Sequence, residues 1–280
     1  MRILVTGGSG YLGTHVRRFF DADDFSRRTG HDILNSEDVK LVANYDAVIH
    51  LAAYLDKNPD GAELCFRTNA EGAANVIRNL QPNSVFVYAS TRDVYGGSAD
   101  SYAEVPETCS TSYRGQTALE WSKLVGERYV EYYARQRNVR ACIFRMSTIY
   151  GRPSEGNENG FVTHYVESVK RRQSIRVPLG GHPVRDILHV DDLSRACRAF
   201  IESSLAGGLY NLGGGKENAA TLLEIIGSVG NLIHIEPKII HDDTLPHPVP
   251  VNYVSDLTRV REQLGWRPQI GIEEGLRSLL

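Results

Sequence analysis

Glycines at positions 7, 10 and 13 stand in the run Ile3-Leu4-Val5-Thr6-Gly7-Gly8-Ser9-Gly10-Tyr11-Leu12-Gly13, where a short apolar stretch passes directly into glycine-spaced chain. Three glycines so placed let a backbone turn tightly, approach phosphate oxygens closely and pack a helix against a strand. The helix N-terminus adds unpaired N–H groups and partial positive charge. The pattern predicts the pyrophosphate site of a nicotinamide dinucleotide. An ordinary tight turn is the bland alternative, but Leu12, Val16, Phe19 and Phe20 follow at helical spacing, as the helix after such a loop requires. Further on, Ser26-Arg27-Arg28 follows a second short strand, where an acid would hold a ribose 2′-hydroxyl and an arginine would meet a 2′-phosphate. Arg27 and Arg28 favour NADP; Asp23 or Asp24 could serve NAD instead. None of the nine histidines has a metal-ligand spacing, so no metal is expected. A GxSxG nucleophile elbow is absent, which removes the α/β-hydrolase reading.

These groups need strands and helices to hold them. Short β-like runs near 24–26, 47–51, 84–89 and 139–144 alternate with helical patterns at about 62–80 and 115–138. The first of these helices carries Phe66, Asn69, Ala70, Ala73, Val76, Ile77 and Leu80 on one face. Such alternation predicts an α/β fold, a Rossmann-type doubly wound parallel sheet with ligands beyond the carboxyl ends of the strands. The second half differs. Residues 151–184 are rich in Gly, Pro, Asn and charge, with one helix near 160–172, and Ser154–Gly160 reads as a lid or a surface loop. A strand near 186–190 leads into a helix with Asp191 as its expected N-cap, Thr221 and Glu224 form a capping box, and Asp256 caps a helix ending at Gly265. The expected division is a dinucleotide-binding domain at 1–150, rejoined by 185–212, and a smaller interleaved substrate lobe from 151–184 and 213–280.

At 280 residues the chain can bury a full core. A formal charge of −3 with only short basic clusters argues against a nucleic-acid partner. Cys65, Cys109, Cys142 and Cys197 are widely separated, which suggests buried reduced thiols. No stretch approaches the roughly 18 apolar residues of a membrane span, and the first strand does not read as a signal core, so a cytoplasmic location is expected.

Six further segments carry a more specific signal: Asp32-Ile33; His50-Leu51-Ala52-Ala53; Thr68-Asn69-Ala70-Glu71-Gly72-Ala73-Ala74-Asn75-Val76; Ala89-Ser90-Thr91-Arg92-Asp93-Val94-Tyr95-Gly96; Trp121-Ser122-Lys123-Leu124-Val125-Gly126-Glu127; and Arg185-Asp186-Ile187-Leu188-His189-Val190-Asp191-Asp192. With the N-terminal loop they resemble the extended short-chain dehydrogenase/reductase family, in its nucleotide-sugar epimerase/dehydratase branch, over almost the whole chain. Phe144-Arg145 through Tyr150-Gly151 and Leu264-Gly265-Trp266-Arg267-Pro268 extend the likeness. Within the branch, the segment from Arg185 and the run Asn211–Asn218 look most like 2-epimerases of CDP-linked dideoxyhexoses.

The resemblance implies an NAD(P)-dependent enzyme that transiently oxidises a sugar carbon of a nucleotide-diphosphate sugar, for epimerisation, dehydration or reduction. It implies cofactor contacts from Gly7, Gly10, Tyr11, Leu12, Gly13, Arg27, Asp32, Leu51, Ala52, Ala53, Asn69, Ser90 and Lys123. Asp32 would accept from the adenine amino group, unless it only caps the following turn. Ala52 and Ala53 would leave room for the nicotinamide, and Asn69 would order the site backbone. Thr91 and Lys123 fall on two of the family's three catalytic positions, and Asp93 lies where dehydratases place an acid. Thr91, Thr148 and Arg185 would meet the substrate, Arg185 at the diphosphate. Relatives commonly pair as homodimers through the two helices at 62–80 and 115–138.

The third catalytic position, four residues before Lys123, is a tyrosine in the family and Leu119 here. An aliphatic side chain has no proton to exchange. Three readings stay open: Tyr113, Glu120, Tyr95 or Asp93 replaces the tyrosine; the site has been altered, naturally or otherwise; or the chain binds cofactor and sugar nucleotide without turnover.

Overall fold

A computed structural model describes residues 1–153 and 160–280, so the loop read as a lid falls largely on residues 154–159, outside the described residues. In chain order the elements are β1 (Ile3–Thr6), α1 (Tyr11–Phe20), β2 (Asp23–Phe25), β3 (Ala47–His50), α2 (Ala62–Cys65), α3 (Gly72–Asn79), β4 (Val85–Thr91), α4 (Ala118–Arg137), β5 (Arg140–Met146) and β6 (Thr148–Tyr150). There follow α5 (Phe161–Lys170), β7 (Ser174–Val177), β8 (Val184–His189), α6 (Val190–Glu202), β9 (Gly207–Leu212), β10 (Ala219–Thr221), α7 (Leu222–Ile233), β11 (Lys238–His241), α8 (Thr258–Leu264) and α9 (Ile272–Ser278).

The main sheet runs β2-β1-β3-β4-β5-β9, with every neighbour parallel. Its strands are apolar on both faces because helices cover both, and two cores result. One packs Val5, Ile49, Val87 and Phe144 against Val16 of α1 and Leu193, Ala196 and Phe200 of α6. The other packs Leu4, Val48, Phe86 and Ile143 against Val76 and Ile77 of α3 and Val130 of α4. The order places β1 between β2 and β3, so the strand order reverses beside the glycine loop and opens a crevice there.

The division of the chain differs in two respects from the sequence expectation: Leu257, Val260 and Trp266, expected in the lobe, pack into the core of the first unit, and β8 leaves that unit. Of the segment expected to rejoin the first unit, α6 and β9 do so, but β8 pairs with β6 and β10 in a separate three-stranded sheet. The cause is Thr148–Tyr150, which leaves the main sheet after β5 and offers β8 a parallel edge, in register from Thr148 opposite Ile187. The lobe has its own core of Tyr150, Val162, Val166, Ile187, Ile226 and Leu276.

Local signals are mostly as expected. Thr221 and Glu224 form a capping box and Gly265 ends α8 at φ 62, but the N-cap of α8 is Leu257 and not Asp256, which lies one residue earlier and accepts from Thr258 N–H at 2.8 Å. All four cysteines are buried and free. The N-cap of α6 is a correction. His189 fills it, its Nδ1 accepting from Asp191 N–H at 3.2 Å, because the helix starts at Val190. Among the described residues no helix is long and apolar enough to cross a membrane.

Candidate active site

The cofactor half of the site is a cleft of about 330 Å3 beyond the carboxyl ends of β1, β2 and β3. Gly7, Gly10, Arg27, Asp32, Leu51, Ala52 and Ala53 line one cleft together, joined by Ser9, Phe25, Ser26, Arg28, His31, Tyr54 and Thr68. Whether a dinucleotide fits is decided by the glycines. Gly7 holds φ +69, and a Cβ there would lie 2.8 Å from Ala52 N; at Gly13 it would lie 2.1 Å from Gly7 O. Side chains at either position would fill the cradle, so the loop has the shape that phosphate approach requires. Gly10 caps α1 with no side-chain hydrogen bond, which leaves the helix N-terminus to an anionic ligand.

Other expected contacts have different partners. The Tyr11 hydroxyl donates to Gly151 O at 2.8 Å and joins the first unit to the lobe, while Leu12 packs into the core. Any contribution from these two to a phosphate is therefore through the backbone. The Ser90 hydroxyl turns away and donates to Glu127 at 2.5 Å. Asn69 is fully buried: its side chain accepts from Tyr54 N–H at 2.8 Å and donates to Tyr54 O and Ser122 Oγ, both at 2.9 Å. It orders the cleft wall without lining it. It lies on a π-wound segment, Phe66–Glu71, between α2 and α3. The wider turn shifts the apolar stripe, which leaves Phe66 exposed although helical spacing had placed it on the buried face.

Asp32 also caps the chain locally, accepting from Leu34 N–H at 2.9 Å. Asp24, in the middle of β2, faces the loop: Oδ2 accepts from Ser9 Oγ and pairs with Arg17 at 3.1 Å, while Oδ1 is buried with no partner among the described residues.

The reacting half lies where β4 ends. The side chain of Thr91 accepts from Asp93 N–H at 3.1 Å, so its own hydroxyl proton remains to donate. Two residues earlier, Ala89 O accepts from Lys123 Nζ at 2.8 Å. Lys123 is buried over the Tyr88 ring, and burial pulls its ammonium down to about 8, with the Glu127 carboxylate working the other way. Behind them, Glu127 takes two hydrogen bonds from Arg145, at 2.9 and 2.7 Å, and Arg145 donates to Tyr95. Thr148, in β6 opposite Ile187, is half-buried. Arg185 is buried and donates to Val184 O, Val251 O and Pro250 O at 2.6, 2.7 and 3.1 Å.

Leu119 is buried at the head of α4, on the turn that presents Lys123. The groups that could replace a tyrosine there are not equivalent. Glu120 is locked into the helix cap by Thr117 N–H and the Thr117 hydroxyl. Burial, then the nearby Glu120 and Asp93 carboxylates, push the Tyr113 phenol well above its usual value, and its hydroxyl donates to Asp93 O. Tyr95 is pushed up to about 12, mainly by burial, and donates to Asn211 at 2.6 Å. Asp93 is held low: burial opposes its charge, but Arg92 and Lys57 outweigh it. Of Lys123, Tyr95, Tyr113 and Asp93, Lys123 is the one that burial brings near neutrality.

Sequence reasoning missed Lys57. Its Nζ lies 2.8 Å from Asp93 and 3.2 Å from Glu120, linking the loop after β3 to the ends of β4 and α4. No spacing signal could have found it, because the contact depends on how an irregular loop folds back.

Residues 3–213 match the model of the NAD dependent epimerase/dehydratase family. The chain belongs to that family. Its relatives include a dTDP-glucose 4,6-dehydratase of Mycobacterium tuberculosis, 28% identical with all of this chain and 92% of the relative covered, and a CDP-paratose 2-epimerase of Salmonella typhi, 25% identical with 100% and 98% covered. Solved structures of the same fold include a UDP-glucose 4-epimerase of Thermotoga maritima with UDP-glucose, at TM-score 0.84, 22% identity and 99% and 97% coverage. RMD of Pseudomonas aeruginosa complexed with NADPH matches at TM-score 0.83, 21% identity and 99% and 97% coverage. The family matches the sequence-based resemblance, and these folds match the expected parallel α/β sheet.

Proposed function

We propose that this family member is a nucleotide-sugar epimerase, or a dehydratase or reductase of the same chemistry, in which Lys123 carries the proton that relatives move with a tyrosine. One arrangement supports this most: Lys123 lies one turn after Leu119 on α4, its Nζ is held 2.8 Å from Ala89 O two residues before Thr91, and burial draws its ammonium down to about 8, near the operating range of an acid/base catalyst. Gly7, Gly10 and Gly13 with the N-terminus of α1 would hold the pyrophosphate, Asp32 the adenine, and Ala52 and Ala53 would flank the nicotinamide. A bound nicotinamide supplies a reversible hydride acceptor. Ser26 and Arg27 on the cleft wall favour a 2′-phosphate, hence NADP, and the Arg17 pair offsets the charge of Asp24 that would oppose it.

Thr91 donates to the reacting sugar hydroxyl, with its lone pair already engaged by Asp93 N–H. The hydroxyl proton leaves for the neutral Lys123 amine as the carbon becomes a ketone, and returns in the reverse step. The Asp93 carboxylate, fixed by Lys57, accepts from a neighbouring sugar hydroxyl. Thr148 and Arg185 lie on the diphosphate side. Trp121, 49% exposed, and Tyr132, 57% exposed, share a helical stripe of α4, a face suited to a homodimer.

Leu119 favours one competing reading, a protein of this fold that binds both ligands without turnover. Incubation with NAD or NADP and UDP-, GDP-, dTDP- and CDP-sugars, with products followed by NMR, separates the two. Isomerised or dehydrated product supports the enzyme. Tight binding without product for any sugar supports the silent binder.

A further inference from the structure

The main sheet has two edges, and they are finished differently. At one edge β2 is three residues long, and its Asp23 is engaged by Arg2 at 3.6 Å and by the Tyr45 hydroxyl at 2.9 Å. Short, charged edge strands of this kind resist pairing with another chain. At the other edge β9 runs six residues, pairs only with β5 and carries no charged side chain. Ala206 O and Leu212 O accept from Ala141 N–H at 3.1 Å and Ser147 N–H at 2.7 Å, so the even-numbered residues face β5. By the alternation of a parallel ladder, Gly207, Leu209 and Asn211 turn their N–H and C=O groups outward. The outward N–H of Asn211 donates to Glu107 Oε1 at 2.8 Å. Those of Gly207 and Leu209 have no partner among the described residues, and Gly207 is exposed.

Beside this edge, on the α4 side of the sheet, a groove of about 660 Å3 separates α4 from β9. Its floor is apolar, formed by Val130 and Ala134 of α4 and by Ala141, Ile143 and Leu209 of the sheet. Its charge is one-sided. Arg128 is offset by Glu131 at 2.8 Å and Arg145 by Glu127 at 2.7 Å. Arg135, Arg140 and Arg259 also line the groove and have no ion-pair partner among the described residues; the one acid of the lining left against them is Glu107. Arg140 spends its donors on carbonyls, including Leu205 O at 2.9 Å and Phe200 O at 3.0 Å, whereas Arg259 lies over the Tyr210 ring, 5.7 Å from its centre.

These features discriminate between occupants. A second copy pairing β9 with β9 would set the uncompensated arginines of one groove against those of the other, and like charges at an interface disfavour it. A nucleic acid would satisfy the arginines but has no peptide edge to offer Gly207 and Leu209. An extended acidic peptide meets both needs. Its backbone pairs with the strand, its carboxylates approach Arg135 and Arg259, and its apolar side chains reach the groove floor.

We propose that the open edge of β9 and the groove beside it form a docking site for an acidic, extended segment of a partner protein, which adds a strand to the main sheet. The site is separate from the cofactor cleft and stands whether or not the chain turns over a sugar.

Fluorescence anisotropy of the full chain tests it with a labelled peptide, Glu-Val-Thr-Val-Thr-Val-Glu, and a control with lysine at both ends. The acidic peptide should bind with a Kd below about 100 µM, and the lysine control at least about 10-fold more weakly. Methylating alternate amide nitrogens removes the donors along one edge of the peptide. Methylation of one edge should leave binding in place, and methylation of the other should weaken it at least about 10-fold. Arg259→Glu should weaken the acidic peptide by about 5-fold and Leu209→Asp by at least about 10-fold. Melting curves show whether each variant folds, and if Leu209→Asp does not, Arg259→Glu carries the test. The proposal is overturned by no binding up to about 1 mM, by equal affinity for the acidic and lysine peptides, or by equal affinity of the two methylated forms. Unchanged affinity in folded Arg259→Glu overturns it too. A native dimer, seen by sedimentation velocity, that Leu209→Asp converts to monomer assigns the edge to a second copy instead. An oligothymidylate that binds more tightly than the acidic peptide and displaces it assigns the groove to nucleic acid, which is equally contrary.

Discussion

The two halves of the site hold their ligand groups by different means. In the cofactor half, function is written in backbone: glycines at 7 and 13 make a cradle in which a single added carbon would collide, and the walls are small or apolar. In the reacting half, side-chain charge gathers: Lys57 comes from the loop after β3, Arg92 and Asp93 from the turn after β4, and Glu120 and Lys123 from α4. Backbone shape tolerates no substitution but is independent of neighbours. A charge cluster can redistribute its roles, which is the premise of the proposal that Lys123 serves where Leu119 has no proton to exchange.

Substitutions that strike one half and spare the other sharpen this contrast. On ligand binding the largest effect is expected for Gly13→Ala, whose Cβ would meet Gly7 O at 2.1 Å. Dinucleotide affinity, read by fluorescence titration, should fall by about 100-fold or more, roughly 2.7 kcal/mol, and near-native affinity would show that the loop does not hold pyrophosphate. Leu119→Tyr addresses the reacting half. If Lys123 already moves the proton, turnover should stay within about 10-fold of native or fall, since burying a phenol there also crowds the core. Activity only in that variant would identify the native chain as a silent binder.

A smaller effect discriminates between cofactors. Arg27→Ala should weaken NADP by about 10-fold and leave NAD unchanged, as expected for loss of one exposed phosphate contact. Equal losses would remove the NADP argument.

The smallest effect concerns the floor between the halves, where His50 ends β3. Its Nδ1 lies 2.8 Å from Thr6 Oγ1 and its ring stacks on Tyr88. Burial, then the Lys123 charge, lowers its pKa from 6.5 to about 3. The unfolded chain therefore binds more protons between those values, and stability is lost as pH falls below 6.5. From pH 7.5 to 5.5 this amounts to about 1.4 kcal/mol, which His50→Phe should abolish in denaturant titrations at the two pH values.

What could be read from the sequence follows the same division. The glycine run, the alternation of β runs and helices, and the polar Asn69 on an apolar face all act through local geometry, and local geometry is written in consecutive residues. Lys57 could not be read because it meets Asp93 through an irregular loop. The groove beside β9 could not be read either, because it depends on how far α4 stands from the sheet edge. The strand near 186–190 was visible as a strand, but its sheet was not, because pairing is decided by the edge that β6 offers. Phe66 was misplaced since a π turn has no signature in residue spacing.

The central claim, that binding is kept while proton transfer rests on Lys123, is tested most directly by the pH dependence of turnover in native chain and Lys123→Arg. Arginine keeps the positive charge but does not deprotonate in this range. The account predicts a native kcat/KM that rises with pH through an apparent pKa near 8, the value that burial gives Lys123. It predicts a loss of about 1,000-fold in the variant, with cofactor affinity within a few-fold. A variant that turns over at the native rate with the same profile would contradict it.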